Sequence, residues 1–231
     1  MRITMIGHSC VLIETGDLRI ITDPFFSTAG TALAIRTAPP AFDRSELANV
    51  NLVLISHTHS DHIDSTYLRL LPIATPVLVP AASRQQVINL GGQHVVGVEP
   101  EQDLPQVHVV PASHFGPAVG YIIRSEGMNI YFAGDTFCRT FMAEIAAQYP
   151  LRAALISVFT YRLPLAMNEQ EAVRAVGLLK PQTIIPIHLD MQARPAWLRT
   201  GGSVESFRQL LHQTDLSSEL VILHSGESWV A

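Results

Sequence analysis

The sequence is short of charged residues, of positive charge in particular, and of long apolar runs. Charged side chains make up 15% of the 231 residues, the formal net charge is −5, and the isoelectric point is near 6.0. Such a chain lacks the basic footprint by which proteins bind nucleic acid or anionic membranes. No apolar run reaches the roughly 18 residues of a membrane-spanning helix. We therefore expect neither a nucleic-acid-binding protein nor a membrane-spanning one.

Cysteine is also scarce. Cys10 and Cys138 are the two cysteines of the chain, and they form no CxxC pair. A disulfide framework is therefore not expected. The first ten residues, MRITMIGHSC, lack the basic region and the long apolar stretch of a signal peptide. Both observations favour a reducing, cytoplasmic location.

Hydrophobic residues, by contrast, make up 48% of the chain, which is enough for a sizeable core. β-Branched segments and turn residues predict strands, and apolar periodicity predicts helices between them. The predicted strands are 2–6, 10–14, 18–22, 51–55, 75–80, 107–111, 119–125, 128–134, 153–158, 182–188 and 220–224. The predicted helices are 65–71, 83–90, 140–150, 168–180 and 204–213. Two such blocks predict an α+β fold with two sheets packed face to face and helices outside, in one domain over residues 1–231.

Three local signals refine this prediction. Asn168, followed three residues later by Glu171, has the pattern of a helix N-cap with a capping box, and Asp64 is placed to cap the helix over 65–71. EGMN predicts a hairpin turn between two strands. Residues 23–42 have little periodicity and predict a long loop, which in compact domains is often functional.

The chain is rich in histidine, and its ten histidines recur at the ends of apolar runs. The densest group is in LISHTHSDHID, residues 54–64, directly after a predicted buried strand. His57 and His59 are two positions apart, so on an extended segment they point to the same side and can contact one metal ion. Asp61 and His62 lie beyond a turn and point elsewhere. Because zinc takes about four ligands, this segment supplies half of each of two sites and completes neither.

Three more candidate ligands each follow a predicted apolar strand and can converge on the same rim: His114, Asp135 and His188. The complete set has five imidazoles and two carboxylates, which suits two metal ions if one carboxylate bridges them. Two-metal centres with ions roughly 3.5–4 Å apart are a common design for hydrolysing esters, amides or phosphodiesters. His94 and His108 remain rivals to His114, and His212 is expected on a helix surface.

SHTHSDHID, PASH, GDT and PIH resemble, in order and approximate spacing, the ligand series of the metallo-β-lactamase superfamily. The resemblance extends from GHSCVLIE to LHSGE and implies a four-layer αβ/βα sandwich. It implies that the first metal is held by His57, His59 and His114, that the second is held by Asp61, His62 and His188, and that Asp135 bridges them. Within the superfamily, the chain looks most like the branch of ascorbate-6-phosphate lactonase and the phospholipase D that hydrolyses N-acylphosphatidylethanolamine.

The resemblance also separates the candidate functions. Iron-binding redox members of the fold carry Glu at the position of His59, so His59 favours a hydrolase. The other alternative is a sensor that binds metal but catalyses no reaction. The presence of both Asp61 and Asp135 favours an enzyme over such a sensor. The segment SVFTYRLPLAMN departs from the Pro and Gly that the family often has there, so the substrate preference of relatives does not carry over. Zinc suits the ligand set best, and manganese or iron also fit.

Several further residues are candidates for the surroundings of the metals. Asp61 is expected to orient the nucleophile or accept a proton in addition to binding metal. Asp23, in TDP, is a candidate partner for a ligand histidine, with a turn cap as the alternative. His8 is a candidate pocket residue. The candidates for contacting an anionic or polar group of a small substrate are Arg36, Tyr161 and Arg162. His224, in the C-terminal segment, is a candidate for approaching the site. Each of these also fits an ordinary turn or surface position, and a homo-oligomer is left open.

Overall fold

Fifteen strands and five α-helices form the regular structure of the part of the chain that the computed structural model describes, residues 1–162, 164–200 and 202–231. The strands are β1 (Arg2–Gly7), β2 (Cys10–Thr15), β3 (Leu18–Thr22), β4 (Ala34–Arg36), β5 (Leu52–Leu54), β6 (Val77–Pro80), β7 (Val95–Val98), β8 (Val107–Pro111), β9 (Val119–Ser125), β10 (Met128–Phe132), β11 (Leu151–Ser157), β12 (Thr183–Ile187), β13 (Met191–Ala193), β14 (Glu219–Leu220) and β15 (Ser228–Val230). The helices are α1 (Ser65–Leu70), α2 (Arg84–Asn89), α3 (Phe141–Gln148), α4 (Glu169–Leu179) and α5 (Val204–Leu211).

The strands form two large sheets and one small one. The first sheet has the order β15-β1-β2-β3-β5-β6-β7, and the second has the order β14-β12-β11-β10-β9-β8. β4 and β13 pair antiparallel as a separate two-stranded sheet. In the first sheet β3, β5, β6 and β7 run parallel, and in the second β10, β11, β12 and β14 run parallel. The residues that follow the parallel strands of each sheet therefore collect at one edge of that sheet.

The two large sheets pack face to face, with helices on both outer faces. Inward side chains such as Ile13, Leu54 and Phe132 form one buried cluster between the sheets. Helices α1 and α2 cover the outer face of the first sheet, and α3, α4 and α5 cover that of the second. This helix–sheet–sheet–helix arrangement confirms the predicted four-layer fold. None of the helices within the described ranges has the length and apolar character needed to cross a membrane.

One hydrogen bond links the two sheets next to the histidine-rich segment. The buried Tyr121 hydroxyl of β9 donates to the Ile55 carbonyl at 2.9 Å, directly after β5. A buried phenol needs such a partner, because an unsatisfied hydroxyl costs about 1–3 kcal/mol. The contact fixes the start of the LISHTHSDHID loop against the second sheet.

The predicted helix caps and the predicted hairpin turn are confirmed. Asp64 caps α1 and accepts hydrogen bonds from the backbone amides of Thr66 and Tyr67 at 2.8 and 2.9 Å. Asn168 and Glu171 form the capping box that begins α4. The turn of the β9–β10 hairpin is made by Glu126 and Gly127, both at positive φ.

The prediction missed four short strands and overestimated the length of a fifth. The predicted loop over 23–42 contains β4, whose partner β13 lies far along the chain and was also missed. Two edge strands, β7 and β15, were not predicted either. The predicted strand 220–224 is reduced to the two residues of β14. Short edge strands depend on the partner that they pair with, so their own residues carry little signal.

Candidate metal centre

The candidate ligands lie in loops that follow strands of both large sheets. His57 to His62 follow β5, and His114 follows β8. Asp135 and His188 follow β10 and β12, respectively. The loops meet because the sheets pack face to face with these strand ends on the same side. The fold thus brings together residues that are up to 131 positions apart, from His57 to His188.

The first group consists of His57, His59 and His114. Their ligand atoms all lie within 4.8 Å of one another. His59 Nδ1 is 3.1 Å from His114 Nε2, and the His57 ring lies 4.5 Å from the His114 ring between centroids. This is the set that the resemblance assigns to the first metal. The rivals lie elsewhere: His94 is exposed beside the Ala74 carbonyl, and His108 contacts Asp103.

The second group surrounds one carboxylate oxygen. Asp61 Oδ2 lies 3.6 Å from His188 Nε2 and 4.0 Å from His62 Nε2. His8 Nε2, which sequence reasoning placed only as a pocket residue, is as near, at 3.4 Å. The four side chains have ligand atoms within 4.8 Å of one another.

Asp135 lies against two histidines of the second group. Its Oδ2 is 3.5 Å from His62 Nε2 and 3.4 Å from His188 Nε2. The rings of His62 and His57, which belong to different groups, are 4.1 Å apart between centroids. The two groups are therefore neighbours, and Asp135 contacts His62, the ring of the second group that lies nearest to His57.

The buried imidazoles test whether these residues fit metal ions. His57 Nε2, His62 Nε2 and His114 Nδ1 are buried without a hydrogen-bond partner among the described residues. A buried polar atom left unpaired costs about 1–3 kcal/mol, so several in one cluster require an explanation. Imidazole nitrogen and carboxylate oxygen are donors that zinc, manganese and iron accept. The donor set therefore fits divalent metal ions.

The charges of the cluster shift its pKa values in opposite directions. Burial lowers the pKa of His57 well below its ordinary value, and the neighbouring His62 adds to this effect. Burial acts in the same direction on His62, but three surrounding carboxylates outweigh it and raise the pKa of His62 well above its ordinary value. These carboxylates belong to Asp135, Asp23 and Asp61. The three carboxylates thus favour the charged form of His62, whereas burial favours the neutral form of His57.

Asp23 orients two of the ligand histidines. Its carboxylate accepts hydrogen bonds from the Ser56 amide at 2.7 Å and from the Ser56 hydroxyl at 2.6 Å. The same carboxylate lies 2.7 Å from His62 Nδ1, and Ser56 Oγ lies 3.0 Å from His57 Nδ1. With Nδ1 held, His62 Nε2 faces Asp61 and Asp135, as a metal-ligating histidine requires. The structure thus places Asp23 in contact with His62, one of the candidate ligands, which is the kind of partner considered from the sequence.

Replacing Asp23 with asparagine should weaken metal binding about 10–100-fold, because the amide is a poorer acceptor for the His62 N–H. Competition with a chromophoric chelator measures the loss. Thr22→Ser is a matched control, since Thr22 Oγ1 bonds to the Ser9 carbonyl and to no ligand histidine. An affinity of Asp23→Asn equal to that of the control would show that Asp23 does not orient the centre.

Three residues of the centre adopt left-handed backbone conformations: His8 (φ 61), Asp23 (φ 32) and His188 (φ 65). Each such residue costs about 1–3 kcal/mol and persists only where its neighbours fix it. Here the His188 amide donates to the His8 carbonyl at 3.0 Å, and the His8 amide donates to Asp190 Oδ2 at 3.0 Å. Two turns that carry imidazoles of the second group are thereby joined.

Sequence reasoning missed three residues that support the centre: Ser56, Ser157 and Asp190. Ser157 donates to Asp135 Oδ1 at 3.1 Å. Ser56 immediately precedes His57, and Asp190 lies two residues after His188. Ser56 and Asp190 lie next to candidate ligands in the sequence, and Ser157 is the last residue of an apolar strand. These positions were the sequence features that could have indicated a supporting role.

The remaining pocket candidates are placed differently from one another. The buried Arg36 guanidinium donates to the carbonyls of Ala38, Phe25 and Ser27, which holds the 23–42 segment together and does not favour a substrate contact. Arg162 and His224 are exposed, with no contact to the two ligand groups in the described ranges. Tyr161 stays near the centre, with its ring 6.4 Å from that of His188.

Comparison with known proteins gives the family. Residues 2–188 match the model of the β-lactamase superfamily domain. A metal-dependent hydrolase of Pyrococcus furiosus is 30% identical, over 99% of this chain and 98% of its own. Two solved structures share the fold. They are a metallo hydrolase of Ignicoccus hospitalis (22% identical, covering 99% of this chain and 97% of that one, TM-score 0.78) and an isothiocyanate hydrolase from Delia radicum gut bacteria (17% identical, covering 100% and 99%, TM-score 0.81). The chain belongs to the metallo-β-lactamase superfamily, among the UPF0173 metal-dependent hydrolases.

Proposed function

We propose that this protein is a hydrolase that uses two divalent metal ions to cleave an ester, lactone or phosphodiester bond in a small substrate. One observation carries the proposal: two groups of candidate ligands lie side by side, and the Asp135 carboxylate contacts two histidines of the second group. The proposed ligands of the first ion are His57, His59 and His114, those of the second are Asp61, His62 and His188, and Asp135 is shared. Zinc is the preferred metal, with manganese or iron as alternatives.

When bound, two such ions lower the pKa of water towards 7 and stabilise negative charge that develops on the substrate. The protein's own groups then have separate tasks. Asp61 keeps 19% of its side chain exposed, so one carboxylate can bind metal and also orient water or accept a proton from it. Asp135 is buried, and Ser157 fixes one of its oxygens, so its task is to hold the two positions at a constant separation.

Tyr161 is the candidate for contacting the substrate. Its hydroxyl is buried and has no hydrogen-bond partner in the described part of the chain. Burial, with the charges of Asp61 and Asp135, raises the pKa of Tyr161, so the hydroxyl stays a donor. A cleft of about 220 Å³ lies beside it, lined by residues such as Thr37 and Leu189. This volume is below the roughly 300–1,000 Å³ of typical ligand pockets, so the cleft suits only a small group of a substrate.

Two phenylalanines lie beside the first ligand group. Phe115, next to His114, is 60% exposed, and its ring meets that of Phe137 edge-on at 5.6 Å. An exposed phenylalanine beside a candidate metal ligand favours substrates with an apolar part near the bond that is cleaved. Aryl and alkyl esters therefore belong among the substrates to be tested.

A substrate panel tests the proposal. Protein loaded with zinc, manganese or iron is offered lactones, phosphodiesters, aryl and alkyl esters, sulfate esters and isothiocyanates. The resemblance to the lactonase and phospholipase D branch motivates the first two, and the isothiocyanate hydrolase of the same fold motivates the last. We expect metal-dependent turnover of at least one class. If the protein binds two metal ions but hydrolyses none of these substrate classes, the result would instead support the metal-sensor alternative.

A further inference from the structure

We propose that His8 is a further metal ligand, which joins Asp61, His62 and His188 at the second metal position. The inference rests on the proposed dinuclear function and adds a residue outside the seven ligands named above. His8 belongs to the turn between β1 and β2, at the other end of the chain from His188.

The side chain of His8 is directed into the centre. Its Nε2 is 3.4 Å from Asp61 Oδ2, a shorter distance than separates that oxygen from His188 Nε2 or His62 Nε2. The His8 ring lies 4.0 Å from the His188 ring and 5.4 Å from the His62 ring between centroids. By distance, His8 is as much a member of the second group as the two histidines that the resemblance assigns to it.

The environment of His8 does not fit a histidine that merely fills the core. The side chain is completely buried, and neither ring nitrogen has a hydrogen-bond partner among the residues that the structure describes. A buried imidazole that serves packing normally bonds through at least one nitrogen. A metal ion shared with Asp61 would satisfy Nε2.

The backbone gives a second, independent argument. His8 has φ 61, a left-handed conformation that few residues other than glycine adopt, although asparagine, aspartate and histidine do so more often than the rest. The Asp190 carboxylate and the His188 amide hold it there, at 3.0 Å each. A strained residue fixed on both sides is typical of functional positions, where the strain aims a side chain. Here it aims the imidazole at Asp61.

His8 would change the donor count of the second position. Asp61, His62, His188 and Asp135 already supply four donors, and His8 makes a fifth. Zinc in protein sites is usually four-coordinate, whereas manganese and iron take more donors. At the second position, the affinity for manganese or iron relative to that for zinc is therefore expected to be higher in the wild type than in a variant that lacks the imidazole.

Metal affinity is the first test. His8→Asn keeps a residue that tolerates left-handed backbone, and its short amide does not reach Asp61 as the imidazole does. Competition with a chromophoric chelator should show the second equivalent of manganese bound about 10-fold or more weakly than in the wild type, and the first equivalent unchanged. His94→Asn is the matched control, since His94 is exposed and far from the ligand groups. Equal affinities in His8→Asn and the control would overturn the inference.

Cobalt substitution separates a ligand from a residue that only positions Asp61. Each imidazole bound to paramagnetic cobalt gives a strongly shifted proton NMR signal from its remaining N–H. We expect six such signals in the wild-type protein with two cobalt ions, from His8 and the five imidazoles already named, and five in His8→Asn. Five signals in the wild type would show that His8 is not a ligand, whether or not the variant folds.

The two proposals fail in different ways. A wild-type protein that binds fewer than two metal ions contradicts the dinuclear function itself. A wild-type protein that binds two ions, hydrolyses its substrate and gives five shifted signals leaves that function intact and overturns only the role of His8.

Discussion

Asp135→Asn is expected to lower kcat/KM by about 1,000-fold or more, which is ~4 kcal/mol of transition-state stabilisation. Asparagine has nearly the same shape, so the change removes the charge and not the packing. That charge faces His62 and His188 at 3.5 and 3.4 Å, and in the proposed centre it faces both cations. The effect is large because two positive ions held close together repel each other unless a shared anion offsets their charge.

Ser157→Ala is the control for this change. It removes the hydrogen bond to Asp135 Oδ1, at 3.1 Å, and leaves the carboxylate in place. We expect kcat/KM to fall by about 10-fold. This is the lower end of the effect of removing a hydrogen-bond partner of a metal ligand. Metal content is measured for both variants alongside kcat/KM. Near-wild-type activity in Asp135→Asn with two bound ions would contradict the shared-carboxylate role.

Gly134→Ala is expected to destabilise the protein by about 3 kcal/mol or more, the sum of a left-handed alanine and an overpacked contact. Gly134 has φ 56 and passes directly over Ser56, so an added Cβ would overlap Ser56 Cβ and Oγ. Both segments carry ligands, because Ser56 precedes His57 and Gly134 precedes Asp135. The structure therefore requires glycine for the two ligand loops to come together. Urea denaturation measures the change, at constant slope if the transition remains two-state.

Gly127→Ala separates the two contributions. Gly127 also has positive φ, at 74, but an added Cβ meets nothing within 4 Å. Its cost should be about 1–2 kcal/mol, from the backbone alone. The double variant Gly134→Ala with Ser56→Gly should recover part of the lost stability, since the overlap is removed. If Gly134→Ala and Gly127→Ala cost the same, the close approach to Ser56 does not matter.

The large-scale fold could be predicted from the sequence, as could the convergence of the candidate ligands on one rim, for a physical reason. Buried strands such as β5 and β12 consist mainly of apolar residues, and the candidate ligands come directly after them in the sequence. His57, Asp135 and His188 could be recognised because their residue types are unusual after such strands. Their roles as metal ligands stay predictions, while the structure brings their side chains together.

The supporting contacts could not be predicted in the same way. Ser157 and Asp135 are 22 residues apart, and their contact exists only once β10 and β11 have paired. His8 and Asp190 are 182 residues apart and follow strands of different sheets, so their contact exists only once the sheets have packed. The surroundings of Arg36 could not be predicted for a similar reason. An arginine in a polar segment suggests a free cation, but this one is buried against carbonyls of its own segment.

Metal titration of the stripped protein tests the dinuclear mechanism most directly. Protein is freed of metal with a chelator and titrated with zinc or manganese, while hydrolysis of the best substrate and thermal unfolding are followed. We expect no turnover without metal and activity that rises to its maximum at two ions per chain. The melting temperature should rise in parallel, because bound metal satisfies the crowded ligand side chains. Full activity in the metal-free protein would contradict the mechanism.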